Sequence, residues 1–231
     1  MEQGVSIPKC VGVIVDGNRR WAKLRGDAPG EGHVAGRKKF REFVEWAANA
    51  GVKAVIAYTF STENWNRPTE EVATLMALLY SVLRDDLVEM KEKGFRVRII
   101  GDRSRFPAEL QTLFAKAESE TSQNSGMIVG LLLSYGGRDE IVAAARELLR
   151  KGVDPEALTK EQFEKELWTA GIPDPDMIIR TSGEKRLSNY LPWQSAYSEL
   201  FFTETLWPDF TQVEFLKMIE EFGERDRRFG K

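Results

Sequence analysis

The sequence predicts an α/β protein: one domain over residues 1–231, with a central, mostly parallel six-stranded sheet flanked by helices. Two patterns carry this reading. Short, continuous apolar runs rich in β-branched residues alternate with longer stretches in which apolar residues recur every three or four positions. Strands that are apolar throughout are those covered on both faces, the habit of parallel sheets packed between helices. The chain length suits a single globular core.

The strands are expected at residues 11–15, 52–60, 95–100, 127–134, 177–179 and 196–202. Gly101 stops the third, Gly136-Gly137 the fourth, and Arg180 follows the fifth. A helix is expected over 34–50, where Phe40, Phe43, Val44 and Ala47 share a face and Gly51 closes it. A long one is expected over 69–93, carried by Val72, Leu75, Met76, Leu79, Val82, Leu83 and Leu87 and closed by Gly94. Two more fall at 139–150 and 211–228, and KGVDPEALTK at 151–160 reads as a loop within the domain.

In open α/β sheets ligands bind at the carboxyl ends of the strands, and the chemically unusual residues fall there. DGNRRWA (16–22) follows the first strand, FSTENWNRP (60–68) the second, YGGR (135–138) the fourth and RTSGEKRLSN (180–189) the fifth. Asp16 at a strand end can hold Mg²⁺ against a phosphate, because that ion takes one or two carboxylates plus substrate oxygens. Gly17 permits a sharp turn, Asn18 is expected to cap the helix that follows, and Arg19 and Arg20 supply donors suited to phosphate oxygens. Arg180 and Arg186 flank a turn with Ser182, Gly183 and Ser188, a candidate second diphosphate cradle. Glu199 is a candidate second metal carboxylate; the plainer reading is a charge on a strand's solvent face. His33 is the one histidine, too few for a His-rich metal site or a catalytic triad by itself. It is expected at a helix N-terminus, within reach of a phosphate. Phe60 and Trp65 among Ser61, Thr62, Glu63, Asn64 and Arg67 suit a ligand with an apolar body and a charged head. Asp85-Asp86 reads as the solvated face of the long helix rather than as a metal motif.

Composition excludes several classes. Lys plus Arg number 33 against 36 Asp plus Glu, net −3, which gives no electrostatic case for nucleic acid. The one cysteine, Cys10, opens an apolar run and reads as core. A single cysteine rules out a disulfide within the chain and fits a reducing cytoplasm. No signal peptide or membrane span is predicted. A greasy ligand would have to be held inside the protein or exchanged at a membrane surface, so peripheral membrane contact is one route for product release.

The ordered set DGNRRWA, GHVAG (32–36), FSTENWNRP, YGGRDEI, IIRTSGEKRLSNYLPWQSAYSELFF, LWPDF and RDRRFG resembles the cis-prenyltransferase family, whose best-known members are bacterial undecaprenyl diphosphate synthases. The resemblance runs over residues 11–230. It implies a Mg²⁺-dependent enzyme that condenses isopentenyl diphosphate with an allylic diphosphate into a Z-polyprenyl diphosphate. Asp16 would position Mg²⁺ on the allylic diphosphate; Gly17, Asn18, Arg19, Arg20 and Trp21 would form the phosphate loop, assisted by His33. Ser61, Thr62, Glu63, Asn64, Trp65 and Arg67 would surround the reacting carbons, with Asn64 assisting proton removal. Arg180, Arg186, Leu187 and Ser188 would hold isopentenyl diphosphate, and Glu199 would complete its metal site. Arg228-Phe229-Gly230 would reach into a partner's site, which implies a homodimer. An apolar tunnel between sheet and helices would shelter the chain, with Met76, Leu79, Leu83, Met127, Leu131 and Leu133 as candidate linings. Where the family commonly has an Arg four residues before its His, this chain has Pro29, for which Arg25 or Arg37 are candidate substitutes. Gly130-Leu131-Leu132-Leu133 is bulkier than usual in the fourth strand and points to a shorter product. The alternatives are a branching or cyclising short-chain relative and a non-catalytic partner subunit.

Overall fold

The computed structural model describes residues 6–225. Six strands, β1 (Cys10–Ile14), β2 (Ala54–Ser61), β3 (Arg96–Ile100), β4 (Ile128–Tyr135), β5 (Met177–Arg180) and β6 (Glu199–Phe202), form one sheet in the order β3-β4-β2-β1-β5-β6. Every pairing is parallel, so the expected mostly parallel sheet is wholly so. The register sets Ile14 beside Tyr58 on one side and Arg180 on the other, with Phe202 beside Arg180. The carboxyl ends of β1, β2 and β5 therefore share one edge. Strand order reverses at β1, which pairs with β2 on one side and β5 on the other, and such a reversal opens a crevice at that edge.

Successive strand residues face opposite layers. Val11, Val13, Val55 and Ala57 pack on one face with Phe43, Val44 and Ala47 of α2 (Pro29–Asn49), following α1 (Asn18–Arg25), and with Phe215, Ile219 and Phe222 of α8 (Gln212–Glu224). Cys10, Ile14, Ile56 and Leu132 pack on the other with Tyr135, Tyr190 and Leu191. Cys10 is buried, as its apolar setting implies. Phe43, fully buried, meets Trp207, Phe210 and Phe215 at ring separations of 5.0–6.3 Å.

The helices depart from expectation in four places. α2 begins at Pro29 because proline suits the first turn, where its missing N–H is no loss. His33 thus lies one turn inside the helix rather than at its start. The long helix over 69–93 is three pieces: α3 (Thr69–Ser81), a π turn at Val82–Asp86, and α4 (Leu87–Glu92). Asp86, expected on the solvated face, is 3 % exposed, because the Arg37 fork takes its two oxygens at 2.7 and 2.9 Å; Asp85 stays in solvent. A helix not foreseen, α5 (Ala108–Thr121), buries Leu110, Phe114 and Ala117. Two further helices follow, α6 (Gly137–Arg150) and the short α7 (Lys160–Glu164). Residues 226–228 of the last expected helix, and the Arg228-Phe229-Gly230 element, lie outside the described residues.

Asn18 does not cap α1. Gly17, at φ 108°, precedes the first turn, and Asn18 is its first residue, with its amide turned back toward the Val15 carbonyl at 3.4 Å. α1 lies close on α2 because Gly32 and Gly36 present no side chains there. A Cβ at Gly32 would strike the Asn18 backbone carbonyl, and one at Gly36 the Asn18 side-chain amide. The two replacements should therefore differ. Gly32→Ala forces backbone apart and is expected to lower unfolding free energy by about 1–3 kcal/mol. Gly36→Ala displaces a side-chain tip and should leave stability within roughly 1 kcal/mol while reorienting Asn18. Urea unfolding of both variants checks the contrast.

Candidate active site

A cavity of about 1120 Å³ opens at the carboxyl edge of β1, β2 and β5. It is lined by Asp16, Gly17, Asn18, Arg19 and Arg20 after β1, by Ser61, Glu63, Asn64 and Arg67 after β2, by Arg180 and Ser188 after β5, and by His33 of α2. The turn at Asp16 is clamped through its backbone: the Asp16 carbonyl accepts from Thr181 Oγ1 at 2.7 Å and from the Trp207 N–H at 3.0 Å. Its carboxylate accepts from Arg180 Nη2 at 2.9 Å and lies 3.8 Å from Arg20 Nη2. Arg180, its side chain 5 % exposed, also donates to the Arg186 carbonyl at 2.5 Å and to Ser188 Oγ at 2.8 Å. Arg20 bonds Ser182 Oγ and pairs with Glu184.

A second cluster sits across the cavity. Glu71 of α3 gathers Arg67 at 2.9 Å, Arg19 at 3.5 Å and His33 at 3.8 Å, the last too long for a hydrogen bond. Burial, and then the charges of Arg67 and Arg19, lower the His33 pKa against the opposing pull of Glu71, so the imidazole is neutral at pH 7. His33 Nε2, Asn18 Oδ1 and Arg180 Nε are buried without hydrogen-bond partners among the described residues. Asn64 Oδ1 accepts the Ser61 N–H at 3.1 Å within the 3₁₀ turn Thr62–Asn66, which fixes the amide. Burial raises the Glu63 pKa, but hydrogen bonds from Ser61, Asn189 and Thr62 outweigh it, so Glu63 remains ionised.

Several expected residues stand outside the lining. Trp21 faces Asp209, donating from Nε1 at 2.7 Å. Thr62 bonds Asp139, and Trp65 bonds Ser134 while packing edge-on against Phe60 and Phe106. Arg186 is exposed and paired with Glu184, and Leu187 packs on the second core cluster. Glu199 opens β6 opposite Met177, three positions from the end where Arg180 meets Phe202, and its carboxylate holds Arg225 at 2.7 Å. A metal site joining Asp16 to Glu199 is thus not formed within one chain. Neither substitute for an arginine at position 29 is free. Arg25 stacks on Trp21 and pairs with Asp209, and Arg37 is committed to Asp86 and Ser81. Lys23, which lines the cavity beside Pro29, was missed, as were Tyr58, Thr59 and Asn189 of the lining and Glu71, which pairs with the lining residues Arg19 and Arg67. Glu71 carried a signal, since it lies four residues after Arg67 at the start of a helix.

A smaller, mainly apolar cavity of about 120 Å³ adjoins the first, sharing Val15, Asn18, His33, Thr59 and Leu75. Met76, Leu79, Leu131 and Leu133 line it, whereas Leu83 and Met127, also expected there, are core residues. Tyr58, at the polar cavity, has its phenol pKa raised by burial and donates toward the Tyr135 and Ser188 carbonyls.

Fold and site together define an α/β enzyme in which a cationic pocket leads into an apolar one. The family model Prenyltransf, "Putative undecaprenyl diphosphate synthase", matches residues 14–230, and the chain belongs to that family. It is 46% identical to an isoprenyl transferase of Porphyromonas gingivalis, over all of this chain and 92% of that protein. It is 44% identical to an isoprenyl transferase of Lactococcus lactis, over 99% of this chain and 96% of that one. Among solved structures, a lavandulyl diphosphate synthase from Lavandula x intermedia in complex with dimethylallyl diphosphate superposes with TM-score 0.93 at 36% identity, covering 97% of this chain and 99% of that chain. A probable undecaprenyl diphosphate synthase of Campylobacter jejuni gives TM-score 0.82 at 33% identity, covering 98% of this chain and all of that one. The protein is a cis-prenyltransferase.

The His33 shift has a consequence for stability. With its folded pKa below the usual 6.5, the unfolded chain binds the proton more readily. The contribution from His33 is complete above about pH 6.5 and is lost as pH falls through the lower folded value. Urea unfolding across that window should show a shallower loss in His33→Gln than in the parent; parallel slopes would contradict the assignment.

Proposed function

We propose that the cationic cavity binds an allylic diphosphate and isopentenyl diphosphate side by side, and that the whole chain, 1–231, acts as one catalytic domain that joins them into a Z-polyprenyl diphosphate. The observation that carries this is the convergence of Arg19, Arg20, Arg67 and Arg180 with Asp16 at the mouth of an apolar cavity. Charge for two diphosphates meets space for hydrocarbon there.

Mg²⁺ fits these residues. Asp16 is a part-exposed carboxylate among guanidiniums, and among the described residues no cluster of three His, Cys, Asp or Glu side chains forms a metal site. Such a set suits an ion that completes its shell with substrate phosphate oxygens and water. Asp16 would hold it; Glu199 would contribute only through an arrangement beyond a single chain. When bound, the ion stabilises negative charge on the departing diphosphate.

The chain's own groups do the rest. Arg20, Asn18 and the amino end of α1 orient the allylic diphosphate, and His33 Nε2 offers its buried edge to the same anion. Arg180 and Ser188 seat the isopentenyl diphosphate, with Arg186 contributing its carbonyl to the Arg180 lock. Asn64, fixed by Ser61, lies where a proton leaves the new bond, and Val15, Leu75 and Met76 exclude water from the reacting carbons.

Homodimerisation is supported by β6, a sheet edge on which Leu200 is 37 % exposed. No helix among the described residues is long and apolar enough to cross a membrane. The proposal takes the enzyme to work in the cytoplasm and to unload product at a membrane surface. A second reading, use of a five-carbon allylic unit as both partners, is favoured by the close superposition on a structure holding dimethylallyl diphosphate.

The purified protein with Mg²⁺, labelled isopentenyl diphosphate and, separately, dimethylallyl, geranyl and farnesyl diphosphates should yield Z-polyprenyl products. Product from dimethylallyl diphosphate alone would favour the second reading, and no product with any primer would overturn both. Asp16→Ala should lower turnover by at least about 10³-fold, in line with loss of a main electrostatic contributor, with unchanged circular dichroism. Retained turnover would refute the role of Asp16.

A further inference from the structure

The apolar cavity ends in charge. Along α3 and the π turn its lining runs through Leu75, Met76, Leu78, Leu79 and Val82 and finishes at Asp86, a span of about 16 Å at helical rise. Asp86 is 3 % exposed and is gripped by Arg37, itself part of the lining. Nε and Nη2 take the two carboxylate oxygens at 2.9 and 2.7 Å. The same guanidinium donates from Nη1 to Ser81 Oγ at 2.7 Å and from Nη2 to the Ser81 carbonyl at 3.3 Å. Ser81 stands immediately before the π turn, so Arg37 satisfies a carbonyl where the regular helix ladder is interrupted. Arg41 approaches Asp86 from behind at 3.8 Å and bonds Glu89, which backs the pair with further charge.

We infer that the Arg37–Asp86 pair, seated on the π turn, is the stop that ends the hydrocarbon pocket and thereby limits the length of the prenyl chain this enzyme accepts and makes. The inference rests on the reading of the site as a prenyl diphosphate pocket. A growing chain entering between Leu75 and Leu133 meets apolar wall until it reaches this pair. To go further it must part a bidentate ion pair and leave both charges against hydrocarbon, which is strongly unfavourable. Apolar side chains elsewhere in the wall only repack, so the pair, more than Leu131 or Leu133, makes the limit sharp.

Replacing both partners together removes the stop without stranding a charge, and buried ion pairs often tolerate such exchange. Two double variants are informative: Arg37→Met with Asp86→Leu, and Arg37→Gln with Asp86→Asn, which keeps shape and hydrogen bonding. Thermal melting and circular dichroism establish that each is folded. Calorimetry with non-hydrolysable thiolodiphosphates of dimethylallyl, geranyl, farnesyl and geranylgeranyl chains needs no turnover. Parent affinity should rise with length and then fall by at least about tenfold at one added unit, and in the variants that fall should move outward by one or more units. Product sizing with labelled isopentenyl diphosphate should show the matching shift, with the rate of the first addition within about threefold of the parent. A folded variant with the parent's cut-off, or a parent that binds and makes long chains without one, would overturn the stop. Binding with the expected cut-off but no incorporation of isopentenyl diphosphate would count against the elongation reading while upholding the stop.

Discussion

The site is organised around one buried guanidinium. Arg180 ends β5 with its side chain almost wholly enclosed, and a charge in that position is tolerable only where its donors are used. Nη1 and Nη2 reach the Asp16 carboxylate, Ser188 Oγ and the Arg186 carbonyl, and Nε alone has no hydrogen-bond partner among the described residues. The loops after β1 and β5 are thus held by the same side chain, and the parallel register that sets Ile14 beside Arg180 makes the geometry available. Left-handed backbone at Ser182, Ser188 and Asn189, unfavourable for residues with a Cβ, lies in the segment that Arg180 ties down. Tyr190 anchors it from beneath, its phenol reaching the Ile56 carbonyl across Gly12, where a Cβ would not fit. The loop pays in backbone strain for a fixed presentation of its polar atoms.

What was legible in the sequence follows from which forces are local. Strand existence and order along the chain came from apolar runs, and the placement of the polar loops at one edge came from the rule for parallel sheets. Both are consequences of burial on two faces. Asp16, Asn18, Arg20, Arg67 and Arg180 converge as their residue types suggested. Arg37 and Asp86 were not legible as partners, because forty-nine positions separate them and each alone looks like a solvated helix charge. The same holds for Glu199 and Arg225, 26 apart: a carboxylate on a strand carries no sign of whether it faces a metal, a cation or water. The helix over 108–121 was legible and was passed over, since Leu110, Phe114 and Ala117 recur at the four- and three-residue spacing of a helical face.

The absence of an arginine at position 29 illustrates how ion pairs remove candidates. Proximity in sequence makes Arg25 and Arg37 seem interchangeable with it, yet both are committed. Arg25 lies 3.8 Å over the Trp21 ring and 3.3 Å from Asp209, and Arg37 has four donor contacts on α3 and the π turn. Freeing either would break contacts that position α1 or the π turn. The exposed Lys23, with a long stem and no ion pair among the described residues, is a cation in the lining beside Pro29. An ammonium gives a point charge rather than a fork, so the contact it supplies is less directional than an arginine's.

Glu71 resolves a remaining problem of like charge. Arg19, Arg67 and His33 crowd one side of the cavity, and without a carboxylate among them mutual repulsion would spread the guanidiniums into solvent. Glu71, its side chain 11 % exposed, draws them to within 2.9–3.8 Å of one atom. It also explains why His33 stays neutral: two guanidiniums and burial outweigh a single carboxylate. A diphosphate entering the pocket therefore meets cations already gathered, so less reordering accompanies binding. It must at the same time compete with Glu71 for them, which tempers affinity for a ligand that has to leave as product. On the proposed reading of the site, selectivity then falls to the apolar cavity, where the hydrocarbon rather than the phosphate is read.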